Sequence, residues 1–548
     1  MSTPAPRPAP PPSSHRSHHP DSVLFNGTVH PLDRPGHTQS ALAVKGEHIL
    51  AAGSDAAILA LAGPDTETLN LEGATVLPGL TDAHIHLKKY ARALAQVDCG
   101  TETAESCLAR VADRAGLFGS ASDWILGHGW DQNAWGRFGT KGELDAASGR
   151  HPAYLTAKSL HAAWANSAAM QLAGIGPETP DPPGGSIQRD EAGQPTGILF
   201  EAAMSLVASE ISDQGASSLR DDLAMAQERL WSMGLTGVHD FDPQDCFIAI
   251  QGLREEGRLG LRIVKNILVE DLPAALDVGL RSGFGDPWIR IGGIKVFADG
   301  ALGPHTAAML QPYEGEPGNL GVLLKDEEEL VSLATSAADG GLAMTIHAIG
   351  DRANHAVLDA YESLRQYELD HRLPRLHHRI EHVQLLHPDD IGRLQSLGLV
   401  ASMQPIHALS DRNMADKYWG DRVTRAYAWK TQHDLGTPLA FGSDAPVESP
   451  NPFLGIYAAV TRGPLPEHPE LGPWHPEESI PLWDALRAYT LGPAFASHQE
   501  GSVGTLVPGK LADLIVVDKD PFASAAESLL EVNVLGTMVG GSWRLRRF

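Results

Sequence analysis

The chain is predicted to be an α/β protein: a (β/α)8 TIM-like barrel, joined to a small β-sandwich built from both termini. Three observations predict this. Eight strand-like apolar runs occur through the middle of the sequence, with helical stretches between several of them. Both ends are rich in β-type text. The chemically reactive candidates cluster at the C-terminal ends of the strand runs, the face that carries the chemistry of such barrels. At 548 residues the chain exceeds one ordinary domain, but a barrel with insertions fills most of that length.

Residues 1–20, MSTPAPRPAPPPSSHRSHHP, carry no apolar core of a secretory signal. They read as a disordered Pro/His-rich tail. Residues 22–76 read as strands, with turn signals at Asn26-Gly27 and Lys45-Gly46-Glu47. Residues 499–548 read the same way, through GTLVPGKLADLIVVDKDP and VLGTMVGGSWRLRRF, and are expected to complete the sandwich. Between them, residues 77–498 form the barrel. Its strand candidates are ATVLPGLTDAHIH, GLTGVHDFD, LRIVKNILVE, IRIGGIKVFAD, LAMTIHAIG, HRIEHVQLL, LVASMQP and PLAFGSDAP. The gap between the first two, about residues 90–230, exceeds any plain crossover and implies an insertion over the site.

Composition narrows the function classes. Lys plus Arg is 42 and Asp plus Glu is 68, a formal charge of −26. This argues against non-specific binding to nucleic acid or to an anionic membrane. No apolar run reaches about 18 residues, the length of a membrane-crossing helix. The three cysteines, Cys99, Cys107 and Cys246, form no CxxC pair, so a reducing cytoplasm is the expected location. The glycine-rich stretch GGSIQRDEAGQPTG lies in the insertion, does not run from a strand into a helix, and reads as a hairpin. No nucleotide cofactor is implied.

Four imidazoles, one amine and one carboxylate define the candidate site. His84 and His86 are two apart on an extended segment, so both point to one face. His347 and His382 come one per strand. Lys295 sits between apolar neighbours. Paired with an acid such as Asp299 it would be structural. Desolvated, its neutral amine can take up carbon dioxide, giving an anionic carbamate able to bridge two cations. Asp444, after the apolar PLAFGS, can ligate a metal and accept a proton from water that the metal has acidified to a pKa near 7. Asp240 is a lesser candidate, and His239 reads as supporting or structural.

These blocks resemble the metal-dependent amidohydrolase superfamily. The closer resemblance is to the amidohydrolase 3 branch that includes the N-substituted formamide deformylases. Matching text includes VLPGLTDAHIHL, GHGWDQNAW, HAAWANSAAM, IKVFADGALG, TIHAIGDRAN, HRIEHVQLLHPDDI, ASMQPIHALSD and AFGSDAPVESPNPFLGIYAAVTR, from about residue 22 to the end. The resemblance implies a barrel with a two-ended β-sandwich and a metal centre. His84 and His86 with Asp444 would hold one metal, His347 and His382 the other, and carboxylated Lys295 would bridge. Trp130, Asp131, His161 and Asn166 would line the substrate pocket, with core packing as the alternative for Trp130. The chain departs from the family where Leu160 replaces a frequent Gly before His161. It departs again where Ala301 and His305 replace Ser and Arg.

The expected activity is hydrolysis of a C–N amide-type bond, linear N-acyl or N-formyl or cyclic, by hydroxide on a centre of two zinc ions, with a small-molecule amide as partner. Iron, manganese and cobalt also suit such ligands. A homo-oligomer is compatible with family habit. One alternative is a mononuclear deaminase; those enzymes lack the bridging lysine and carry Glu where this chain has Gly350. The other is a non-catalytic regulatory or binding protein on the same barrel.

Overall fold

The computed structural model describes residues 19–117, 123–211, 216–464 and 469–548. Residues 1–18 of the Pro/His-rich tail lie outside the described residues.

Eight parallel strands form the central sheet: β1 (Leu80–Ile85), β2 (Leu235–Asp240), β3 (Arg262–Leu268), β4 (Ile289–Phe297), β5 (Ala343–Ala348), β6 (Arg379–His382), β7 (Val400–Met403) and β8 (Leu439–Phe441). Each pairs in parallel with the next in chain order. The barrel closes where Ile85 bridges Ala445, with Asp444 N donating to His84 O at 2.7 Å and His86 N to Ala445 O at 2.9 Å. Strands buried on both faces need near-continuous apolar text. That is why β2, β5, β6 and β7 are buried at every position.

The first predicted strand is in fact two. Thr75–Pro78 runs antiparallel to Leu514–Val517 in a terminal sheet, and Leu80–Ile85 opens the barrel. Gly79 allows the change, because a Cβ there would lie 2.3 Å from Thr236 Oγ1 on β2. The terminal strands form two sheets. One joins His48–Gly53, Ala41–Lys45, Ser22–Phe25 and Glu67–Asn70. The other joins Thr28–Val29, Thr75–Pro78, Leu514–Val517, Val534–Val539 and Ser542–Arg546. They share a core of Leu24, Val44, Val76, Leu514 and Met538. Gly46, at φ +56°, turns the hairpin between Ala41–Lys45 and His48–Gly53. Asn26-Gly27 instead carries the chain from one sheet to the other.

Between β1 and β2 lies a six-stranded sheet: Gly185–Arg189, Pro195–Glu201, Ala162–Ala165, Ala153–Ala157, Ile125–Trp130 and Val97–Asp98. It has apolar clusters of its own on its two sides, around Trp130 and Trp164 and around Tyr154 and Met170. The helix Ala216–Ser232 that follows belongs to the barrel layer, burying Leu219, Leu223, Ala226 and Leu230 in the main core. Among the described residues no helix is long and apolar enough to cross a membrane, and the three cysteines are free and buried.

Candidate metal centre and substrate cavity

The C-terminal ends of β1, β4, β5, β6 and β8 bring His84, His86, Lys295, His347, His382 and Asp444 to one cavity of about 970 Å³. His84 and His86 share a face of β1 by strand alternation, their rings 5.8 Å apart. The His382 ring lies 5.0 Å from His84 and 4.5 Å from His347. Asp444 and His382 sit at φ +60° and +76°, a region costly for non-glycine residues and one concentrated at functional sites.

Each histidine is held by one ring nitrogen. His84 Nδ1 donates to Glu381 Oε2 at 2.7 Å, His86 Nδ1 to Asp242 Oδ1 at 3.1 Å, and His382 Nδ1 to Gln404 Oε1 at 2.8 Å. His347 is held by the other nitrogen, Nε2 donating to the Gly300 carbonyl at 3.0 Å. Such outer partners fix the tautomer and orient the free nitrogen. Burial depresses all four: His86 falls to about 4, and His84 and His382 fall well below the ordinary value. They are therefore neutral at pH 7, as metal ligation requires.

The loop ends are fixed too. Asp82 accepts from the backbone N–H groups of His84 and Ser443, both at 3.0 Å, and from the Ser443 hydroxyl, tying β1 to the segment after β8. Gly442 is required by this closeness: a Cβ would lie 2.5 Å from His84 N. Glu381 also pairs with Arg379, which donates to His239 Nδ1 at 2.7 Å, so His239 supports rather than faces the site.

Among the buried polar atoms here without a hydrogen-bond partner are His84 Nε2, Lys295 Nζ and Asp444 Oδ1. Asp444 Oδ1 lies 3.5 Å from both His84 Nε2 and His86 Nε2. A buried polar group without a partner costs about 1–3 kcal/mol. Two imidazole lone pairs converging on one carboxylate oxygen fit a divalent cation. Among the described residues, three sets of three such donors lie within 4.8 Å of one another: His84, His86 and Asp444; His382, His407 and Asp444; and Asp240, Asp242 and Cys246. The last is already served by Lys265, whose ammonium donates to Asp240 Oδ2 at 2.6 Å and to the Asp242 carbonyl, so Asp240 belongs to an ion pair. His347 joins none of these sets.

Lys295 is not paired with Asp299. That carboxylate accepts from Ala308 N, Ile349 N and Gly350 N, at 2.9–3.0 Å. The Lys295 ammonium instead lies over the rings of Phe241 and Phe297, at 4.8 and 4.6 Å. Burial pulls it down to about 8, against the opposing pull of Glu381 and Asp444. Burial pushes Asp444 up to about 7, with Lys295 opposing.

The insertion covers the cavity. Trp130, Asp131, Lys158, His161 and Glu201 line it. Lys158 pairs with Glu448 at 2.6 Å and His128 Nε2 donates to the Pro446 carbonyl at 3.0 Å, so the cover is tied to the loop after β8. His161 Nδ1 donates to Glu201 at 3.0 Å, and Asp131 caps the short helix Gln132–Trp135. Trp130 is fully buried in the insertion core and donates to the Leu155 carbonyl at 2.8 Å.

Asn166 corrects the sequence reading. It does not line the cavity. Fully buried, it accepts from Ala153 N and Ala169 N and donates to Ser148 Oγ and the His151 carbonyl, capping the helix Ser167–Leu172. An Asn before Ser-Ala-Ala-Met carries the helix-start signal that would have shown this. Leu160 takes φ +63°, the conformation the family's glycine would adopt freely. His305 turns to Glu316 at 2.7 Å and against Tyr418, away from the cavity. Sequence reasoning missed Glu381, Asp242, Gln404 and His407. A glutamate buried in the apolar run before His382 was the readable clue to the first.

An amidohydrolase family model matches residues 67–543. The protein LONG AFTER FAR-RED 3 of Arabidopsis thaliana is 33% identical, across 95% of this chain and 91% of its own. N-substituted formamide deformylase of Arthrobacter pascens is 31% identical, across 96% and 98%. An uncharacterized metal-dependent hydrolase from Pyrococcus furiosus has the same fold, with a TM-score of 0.73 and 30% identity over 91% of this chain and 99% of that one. With a barrel of this topology and a His/Asp donor set at its C-terminal face, the chain belongs to the amidohydrolase family, as a metal-dependent hydrolase acting on carbon–nitrogen bonds.

Proposed function

We propose that the chain hydrolyses an amide, N-acyl or N-formyl or cyclic, at a centre of two divalent cations, with zinc favoured by the His and carboxylate donors. The observation that carries this reading is Lys295: a buried amine with no hydrogen-bond partner, beside four neutral imidazoles and Asp444. Held near 8, it supplies the neutral amine that carbon dioxide requires, and the resulting carbamate would give the centre an anionic bridge. His84, His86 and Asp444 would hold one cation. The resemblance assigns His347 and His382 to the second. When bound, such cations acidify water and polarise a carbonyl.

The chain's own residues supply the rest. Asp444, whose buried Oδ1 has no hydrogen-bond partner and faces the cavity, would take a proton from the attacking water and give it to the departing nitrogen. Glu381, Asp242 and Gln404 keep the rings aimed. The insertion covers part of the cavity and, through Asp131, His161 and Glu201, offers polar contacts to the substrate. The free cysteines suit the reducing cytoplasm as the location.

Deamination is disfavoured at Gly350. A Cβ there would lie 1.9 Å from the Ala308 carbonyl oxygen, so the glutamate of that reading has no room. The test is an amide panel with wild type and Asp444→Asn. Turnover of an N-acyl or N-formyl amide, falling about 10²–10⁴-fold in the variant, is expected. Full activity of Asp444→Asn, or ammonia release from an aminated heterocycle independent of Lys295, would overturn it.

A further inference from the structure

The helix Pro405–Trp419, after β7, turns His407, Asp411 and Met414 to the cavity, the spacing of one helical face. Two more carboxylates reach the cavity wall: Asp131 from the insertion and Glu448 from the loop after β8. Asp411 accepts from the Tyr427 hydroxyl through Oδ2 at 2.7 Å, which leaves Oδ1 without a bond. Glu448 takes Lys158 at 2.6 Å. Burial pushes Asp411 up to about 7, helped by Glu448 and Asp131 and opposed by Tyr427 and Lys158. Three carboxylates thus share Lys158. Gln384, two residues after β6, supplies an observation independent of charge. It is 3% exposed, lines the cavity, and its Oε1 has no hydrogen-bond partner. His407 sets the sense of that amide. One ring N–H of His407 is turned to the Ser443 backbone. Nδ1 is then a lone pair, and Gln384 Nε2 donates to it at 3.4 Å. Oε1 is left over as an acceptor. Tyr427 ties Gln384 to Asp411: its N donates to the Gln384 carbonyl at 2.7 Å, and its hydroxyl holds the carboxylate.

We propose that this wall is a subsite for an ammonium group, so that the amide cleaved at the centre belongs to a molecule carrying a basic amine. The inference rests on the proposed amide hydrolysis and names the substrate class. An ammonium has three N–H donors and no acceptor. Asp411 Oδ1, Gln384 Oε1 and a carboxylate oxygen beside them are acceptors with no donor of their own. A metal ion fits less well: among the described residues these carboxylates form no set of three donors within 4.8 Å. The subsite adjoins the centre through His407, whose ring nitrogen lies within 4.8 Å of donor atoms of His382 and Asp444. Asp411 is one helical turn further on, about 5 Å. A short alkyl chain spans that distance.

The test is a matched pair of amides, N-formylputrescine and N-formylpentylamine, which differ by an ammonium against a methyl group at the chain end. Both are given to wild type and to Asp411→Asn at about pH 8, where the Asp411 carboxyl is ionised. The variant keeps an oxygen for the Tyr427 hydroxyl and removes the charge. Wild type should favour the charged amide in kcat/KM by at least about tenfold, through KM, and Asp411→Asn should lose most of that preference. Calorimetric binding of the same pair to the metal-loaded protein separates the subsite from the reaction. Equal kcat/KM values in wild type, equal binding where neither amide is cleaved, or a preference that survives intact in folded Asp411→Asn, would overturn the subsite. Cleavage of the neutral amide without any preference for the charged one would do so while leaving amide hydrolysis standing. Tighter binding of the charged amide, lost in Asp411→Asn, with hydrolysis of neither, would leave the subsite standing and remove the proposed reaction on such amides.

Discussion

At the scale of single residues, the site depends on groups whose burial is compensated only in part. His84 Nε2, Asp444 Oδ1 and Lys295 Nζ are buried without partners, while His84 Nδ1 is fixed on Glu381. Lys295 gives a pH prediction. A lysine held near 8 is protonated below that value and neutral above it. At fixed dissolved carbon dioxide, ¹³C-carbamate labelling should therefore rise as pH increases through about 8, and Lys295→Ala should show none; labelling that falls over this range, or persists in the variant, would refute the role. The sign for stability agrees. Because the folded value lies below the unfolded one, the unpaired amine penalises folding most below about 8, and the penalty fades as pH rises towards 10.5. The ligands were readable because HxH, a lysine in an apolar strand and a strand-end aspartate stand out in local text. Their supports were not. Glu381 and Asp242 meet His84 and His86 across 297 and 156 residues, a closeness only barrel closure creates.

At the scale of elements, the eight strands were legible because parallel, doubly buried strands require long apolar runs. The split at Gly79 was not, because Thr75–Pro78 and β1 are equally apolar and belong to different sheets. The helix Asp351–His371 is fastened to the start of β6 by Glu368, which takes Arg365 at 2.7 Å and His378 Nε2 at 2.9 Å. Burial raises Glu368, but the bonds from His378 and Arg365 outweigh it and the net shift is downward. A depressed carboxylate stabilises the fold above its unfolded value, about 4.3, and loses that contribution as pH falls through the folded one. Glu368→Gln should thus cost about 3 kcal/mol at pH 7, with the gap to wild type closing in acid; denaturant unfolding at pH 7 and near pH 3 measures both. A gap of equal size at both values would show that the bond, not the charge, is what matters.

At the scale of the molecule, the terminal sheets brace the barrel. Arg262 on β3 forms a buried two-toothed pair with Asp513, just before Leu514–Val517; its Nη2 donates at 2.8 Å, and Nε is also bonded. Asp513→Ala leaves that guanidinium buried and unpaired, so a loss of about 3–5 kcal/mol is expected in thermal or denaturant unfolding. A change below about 1 kcal/mol would mean that the sheets pack without the pair. Contribution of both termini to one pair of sheets was visible in composition. The insertion's six-stranded sheet was visible only as a gap too long for a crossover, because its short mixed strands lack a strong period.

The most direct measurement is metal content per chain, by elemental analysis of protein purified without added metal or chelator. Close to two equivalents is expected if His84, His86 and Asp444 hold one cation and His347 and His382 the other, with the Lys295 carbamate as the bridge. One equivalent or fewer, unchanged after adding metal and bicarbonate, would contradict a two-cation centre and leave the unpartnered Lys295 without a role.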